Sequence, residues 1–409
     1  MKLSMRVLSF CHYLQGPAAT QYLADMGADV VKIEPIRGAF ERHWSGGDSW
    51  VDGVSAFMLS ANRNKRSLAI DLKDPRSRPV MDRLIDGADV IVENFRPGVL
   101  DRLGYGWEAV RARRPSIVYA SATGLGPDGP DANRPGQDLL MQARSGLVAA
   151  TGSADAGPTI VGAAVVDQHG AALLAMGVLA AFVRRLQTGE GTRVEASLFQ
   201  AGIDLQAEAL TKYFARGVDG DPMTRGENVG SWYHHAPYGR YRLRDCAIVL
   251  SMNDPARLAE ALDSDALRAL VDIDRYAERE RYAAAVAQAL LPRAWREVAA
   301  AFDRHGVWYE RVQSYDELAE DPQARHLGVF VDYPVGETRA RLVSHPLRYD
   351  GEAPAARRMP LSPGCDSRAV LEEAGVPRDE IDALIDAGVV AAPAPPPAPS
   401  HDSSQELER

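Results

Sequence analysis

The chain has 409 residues, more than one hydrophobic core usually organises, so two domains are expected. Apolar residues make up 46% and charged residues 25%, ordinary globular usage, and no run reads as long and apolar enough to cross a bilayer, so a soluble chain without a membrane partner is expected. Fifty-six acids against 46 bases leave a formal charge of −10 spread along the chain, which argues against a nucleic-acid partner held by phosphate contacts.

The N-terminal MKLSMRVLSF runs straight into a strand-like segment without a small-residue cleavage site, so no signal peptide is read. An apolar run at Arg6 to Phe10 leads through a loop with Gly16 and Pro17 into a helical pattern ending at Gly27, and a second run continues at Asp29 to Glu34. Strands are predicted at Ser67 to Asp71, Val90 to Glu93 and Ile117 to Ser121, separated by helices such as Arg76 to Ile85 and Trp107 to Arg114. This alternation implies an α/β domain with a mainly parallel sheet. His169 to Leu186 is apolar nearly all round at helical spacing, which predicts a buried helix, and Thr192 to Ser197 resumes a strand.

After about Gly217 the character changes to a Gly- and charge-rich stretch, an aromatic strand at Tyr238 to Leu243 and alanine-rich helices to about Phe302. The expected division is a large domain over 1–205, a linker over 206–225, a small domain over 226–330, a return to the large domain over 331–390, and a tail over 391–409. The tail, AAPAPPPAPSHDSSQELER, is too poor in large apolar residues to build a core and reads as disordered. Three widely spaced cysteines, Cys11, Cys246 and Cys365, fit a reducing compartment, hence a cytoplasmic location, and none has metal-site spacing.

Several chemistries fail on spacing. Glu34 ends a strand as a ribose-binding acid would, but the loop CHYLQGP lacks the spaced glycines that let a backbone approach a pyrophosphate. There is no G-x-S-x-G elbow, HExxH or paired CxxC, and the adjacent His234 and His235 point in different directions, so no metal is expected. Two segments remain. In IVENFRPGVLDRLGYGW, Asn94, Phe95 and Arg96 leave a strand and Arg102 comes soon after, at the kind of strand end where open α/β sheets bind ligands; a capped turn with solvated arginines would look the same. In GAAVVDQHGAALLAMG, Asp167 lies just before a long apolar helix, where a carboxylate is more often a cap than a reactive group.

Taken in order, GPAATQYLADMGADVVKIE, NRNKRSLAIDLKDP, ADVIVENFRPGVLDRLG, SATGLGPDGP, TGSADAGPTIVGAAVVDQHGAALLAMGVLAAFVRRLQTGEGTRVEASL, PYGRYRLRD, DELAEDPQARHLG and VLEEAGV resemble the class III CoA-transferases, the group that includes formyl-CoA transferase, carnitine CoA-transferase and the α-methylacyl-CoA racemases. The resemblance spans almost all of Arg6 to Val390. It implies a Rossmann-like large domain built from both chain ends, a smaller central α+β domain, and a homodimer of two interlocked chains. It implies acyl-CoA and a small carboxylic acid as substrates, coenzyme A as co-substrate, and CoA contacts at Ile70, Lys73, Asn94, Phe95, Arg96 and Arg102, with Arg66 and Arg134 as weaker candidates. Lys and Arg suit phosphates.

Asp167 falls on the family's catalytic aspartate, which would attack the thioester and then carry CoA as an aspartyl thioester. At its ordinary pKa of about 3.9 it would be ionised at neutral pH without help from a base. Asp138 falls where the family often has a second acid and is assigned an orienting role. Leu14 stands where formyl-CoA transferase has glutamine, and the glycine run of that enzyme has no counterpart around Gly226 and Gly230, so formyl-CoA with oxalate is not the expected pair. Pro35 replaces an arginine contact to CoA.

Two alternatives stand beside the transferase. The racemase branch needs an acid and a base on opposite faces of the reacting carbon and has a GHD segment where this chain reads Gly136-Gln137-Asp138; glutamine cannot exchange a proton. A non-catalytic CoA-binding protein would not need a carboxylate at Asp167.

Overall fold

The computed structural model describes residues 3–216 and 224–393, which fold as two compact units. Among the described residues the first unit comprises 3–122, 171–195 and 331–393, the second 123–170, 196–216 and 224–330.

The first unit is organised by a seven-stranded sheet. Its strands in chain order are β1 (Arg6–Phe10), β2 (Asp29–Glu34), β3 (Lys65–Ile70), β4 (Val90–Glu93), β5 (Val118–Thr123), β6 (Thr192–Ser197) and β7 (Val390–Ala391). Their spatial order is β6-β5-β4-β1-β2-β3-β7. β1 through β5 pair in parallel, and β7 closes the edge antiparallel to β3, Val390 opposite Ile70. Taken from β3 this is the 3-2-1-4-5-6 order of a doubly wound sheet, with its switch point between β1 and β4.

Strands covered by helices on both faces must be apolar along most of their length, and Val7, Leu8, Val30, Val31, Leu68, Val90, Ile91 and Val92 are all buried. Helix α1 (Gln15–Asp25) connects β1 to β2, and helix α2 (Ser77–Gly87) connects β3 to β4. The buried face of α2 is Ser77, Val80, Met81, Leu84 and Ile85, the spacing of one helical stripe. Val80, Met81 and Leu84 join Leu8, Ile33, Ile91 and Tyr119 in a core completed by Leu371, Ile381 and Leu384 from the chain's far end.

Two helices lie between β5 and β6 that matter for the site: α3 (Asp138–Arg144) and α4 (Val165–Thr188). α4 is the helix expected from His169 to Leu186, and it runs longer at both ends. Val166, Leu174, Val178 and Phe182 are buried, while Met176, Val183 and Leu186 on another face are exposed. Gly177 permits its close packing on β6, since a Cβ there would lie 2.9 Å from Val194 Cγ1. By length and composition this helix could cross a membrane, which corrects the expectation that no run is long and apolar enough. Alanines and glycines between its larger residues hide that in the raw sequence.

The second unit holds an antiparallel sheet of Gly239–Arg242, Ala247–Leu250 and Tyr309–Arg311. The helices Pro255–Ala261, Arg279–Leu290 and Trp295–His305 pack Leu258, Tyr282, Val286 and Phe302 against Tyr241, Ile248 and Leu250. Within the expected linker, Ala207–Arg216 is a helix; 217–223 lie outside the described residues. Ala391, expected to open a disordered tail, is instead the last residue of β7, because Val390 is buried and carries its neighbour into the sheet edge; the tail from 394 onward lies outside the described residues.

Candidate functional site

The first turn of any helix leaves backbone N–H groups without helical partners. At the start of α4 two of them, Val166 N and Asp167 N, donate to Asp138 Oδ1 at 2.8 and 3.0 Å. Asp138 opens α3, and one turn on Gln142 Nε2 donates to its second oxygen at 2.6 Å. Gln142 is itself buried and fixed, its Oε1 accepting Val161 N–H at 3.0 Å. The cap of α4 is therefore supplied by Asp138 across 28 and 29 residues of chain. Asp167 does not cap its own helix.

That leaves the Asp167 carboxylate uncommitted, since it forms no hydrogen bond among the described residues. It is half-buried beside the Asp138 carboxylate, and burial first, then that like charge, push its pKa up to about 7. The ordinary-pKa expectation for Asp167 is thus corrected: at neutral pH the group is divided between acid and carboxylate. A half-buried carboxylate kept free of donors while its own amide is held is a candidate reactive group.

In the first unit Ile70, Lys73, Asn94, Phe95, Arg96 and Arg102 lie at or beyond the carboxyl ends of parallel strands, whereas Arg66 lies at the amino end of β3. The loops after β1 and β4 meet at the switch point, where Asn94 Oδ1 accepts His12 N–H at 2.9 Å and Asn94 Nδ2 donates to the His12 carbonyl at 2.7 Å. Gly16 makes room, because a Cβ there would sit 2.7 Å from Cys11 Sγ and 3.1 Å from Asn94 Cγ. The clasp uses the Asn94 oxygen and one of its two N–H groups. Phe95 meets the His12 ring at a tilt of 59° with a centroid distance of 4.9 Å and packs against the core.

Lys73, Arg96 and Arg102 are exposed, and among the described residues none of them forms an ion pair. They contrast with Arg66, held by Asp29 and Glu373, and Arg134, beside Asp131. Ile70 is buried in the core, so any ligand would meet its backbone and not its side chain.

Three further groups belong here for which the sequence holds little or no signal. His12 sits in a loop whose only feature noted from the sequence is that it lacks the spaced glycines of a pyrophosphate site. Lys32 and Glu41, both buried, pair at 2.6 Å, and Lys32 Nζ also donates to the Cys11 carbonyl at 2.8 Å while Glu41 accepts Tyr13 N–H at 3.3 Å. Tyr13 takes a φ of 60°, a left-handed conformation costly for a bulky residue and held by these contacts. Glu93 ends β4 with its carboxyl buried, a position whose only sequence signal is an acid at the end of an apolar strand.

Known proteins resemble the chain over this whole frame. A sequence model described as CoA-transferase family III matches residues 4–367. A succinate–glutarate CoA-transferase from Agrobacterium fabrum is 30% identical over 372 residues, covering 86% of this chain and 91% of that protein. A succinyl-CoA:mesaconate CoA-transferase from Haloarcula marismortui is 32% identical over 396 residues, covering 91% and 96%. Among solved structures, a CAIB/BAIF family protein from Brucella suis superposes with a TM-score of 0.78 at 26% identity, covering 91% of this chain and 98% of that one.

Proposed function

The chain belongs to CoA-transferase family III, and from that membership we propose that it moves coenzyme A from an acyl-CoA thioester to a free carboxylic acid through Asp167. The observation that carries the assignment of the nucleophile is the division of labour at α4: Asp138 caps the helix and grips the Asp167 amide, leaving the Asp167 carboxylate half-buried and unbonded.

The Asp167 carboxylate attacks the thioester carbonyl, the C–S bond breaks, and CoA leaves as a thiolate from a mixed anhydride. The thiolate attacks the aspartyl carbonyl of that anhydride, releasing the first acid as carboxylate and leaving CoA on Asp167 as a thioester. The acceptor carboxylate attacks this thioester and expels the thiolate, forming a second anhydride. Attack of the thiolate on the acceptor's acyl carbon then frees the product acyl-CoA and restores the Asp167 carboxylate. No proton need be moved in any step, which suits a site whose second acid, Asp138, is committed to three hydrogen bonds and serves to orient.

Lys73, Arg96 and Arg102 are the cations available for the CoA phosphates, and Phe95 with the Ile70 backbone would line the same strand ends. The two relatives' names make succinyl-CoA with glutarate or mesaconate the donor and acceptors to assay first. A homodimer is supported by Met176, Val183 and Leu186, an exposed apolar stripe on α4. The unpaired thiols of Cys11, Cys246 and Cys365 support a cytoplasmic location.

The test is Asp167→Asn. The amide keeps the shape but attacks poorly, so transfer is expected to fall by roughly a thousandfold or more with the fold and CoA binding kept. Wild type incubated with acyl-CoA and hydroxylamine should yield a hydroxamate at Asp167. Near-normal turnover by the folded variant would refute the nucleophile assignment.

A further inference from the structure

Glu93 is the last residue of β4, in register with Phe10 on β1 and Ser121 on β5. It is 9% exposed. Its Oε2 accepts the N–H of Phe95 at 2.9 Å, and Ser121 lies beside it on the neighbouring strand. The Phe95 bond spans Asn94, whose amide clasps both backbone groups of His12, and it fixes the start of the turn that carries Phe95 and the exposed Arg96. The chain here has a buried carboxyl holding the backbone of a turn from below, while the side chains of that turn hold the neighbouring loop.

We propose that Glu93 is a positioning residue whose charge state sets how firmly the Asn94–Gly98 turn is held for CoA. The inference rests on the CoA reading of these strand ends and adds regulation of that site by pH.

Bond strength sets the direction. A carboxylate accepts an N–H roughly twice as strongly as a neutral carboxyl does, so the turn is held more tightly when Glu93 is ionised. Around the carboxyl stand Ser121 and Tyr119 from β5, Cys11 from the loop after β1, Asp101 on the short helix Val99–Arg102, and Arg193 from β6. Burial dominates this balance and pushes the Glu93 carboxyl up to about 7, against the pull of Ser121 and the Phe95 amide. The switch therefore falls where a cell's pH varies.

The experiment titrates free CoA into the full chain at about pH 6 and about pH 8, for wild type and Glu93→Gln. The glutamine keeps an acceptor for Phe95 and cannot ionise. The wild-type Kd should tighten roughly threefold or more beyond the change shown by the variant, which carries only the ligand's own titration. In parallel, hydrogen exchange at the Phe95 amide of the wild type, corrected for intrinsic rate, should slow from pH 6 to pH 8; this reads the bond without any variant. Equal pH profiles for the two proteins, or an unchanged Phe95 exchange rate, would overturn the proposal while leaving CoA binding intact. A wild type that binds no CoA at either pH overturns the CoA reading and this inference together.

Discussion

With the pKa of Asp167 raised to about 7, the proposed nucleophile would attack only in the fraction of molecules that have lost its proton. Transfer should therefore fall as pH drops below about 7, in a steady-state profile with a single ionisation on the acid side. Replacing Asp138 by Asn removes the like charge beside Asp167 and should move that ionisation to lower pH. The same change sets an amide NH2 against Gln142 Nε2, which is already a donor whose own oxygen is taken by Val161, so stability should drop by about 1–2 kcal/mol in chemical denaturation. A profile unmoved by Asp138→Asn would show that burial alone sets the Asp167 proton affinity. Stability has the opposite pH sense to activity. Asp167 and Glu93 both have folded pKa values raised above the ordinary carboxylate range, so the folded state binds the extra protons; the stability this gives is present below that range and lost as pH rises through about 7. The thermal midpoint should decline between about pH 5 and pH 8, and less so in Asp167→Asn.

Most elements are legible in the sequence because each strand is an apolar run bounded by Gly, Pro or charge, and Val90 to Glu93 and Asp29 to Glu34 fall where the pattern places them. Two features are not. The strand Val390–Ala391 is too short to have a period, and it exists only because β3 presents an edge for it to cover. The cap of α4 is hidden because Asp138 lies 29 residues from Asp167, and a long-range cap has no local spacing to read. Asp167 is identified by resemblance, while its freedom from capping appears only in three dimensions. Asn94 has a second use that its segment does not announce: the oxygen and one N–H of its amide hold the backbone of His12. A chain ended after residue 393 should keep its melting temperature, since residues 394–409 are mostly Pro, Ala, Ser and charge. A chain ended after 388 loses the buried Val389 and Val390 and bares the β3 edge, and should lose about 3 kcal/mol and aggregate on concentration.

For the molecule as a whole, the apolar stripe on α4 places Met176, Val183 and Leu186 where a monomer would leave them in water. Light scattering should find a dimer that persists on dilution, and the pair Met176→Glu and Leu186→Glu should shift it toward monomer; a wild-type monomer at working concentration would remove the interlocked-dimer expectation. The chain also alternates between its two units, leaving the first at 122, returning for 171–195, and returning again after 330. On the ribosome, β3 is made early, and the strand that covers its edge emerges about 320 residues later, on the order of half a minute at ordinary elongation rates. For that interval the unit has a bare, apolar sheet edge and lacks Leu371, Ile381 and Leu384 from its core, and the second unit is finished before the first, at residue 330. The nascent protein should thus lean on holding chaperones in proportion to how slowly its middle is translated.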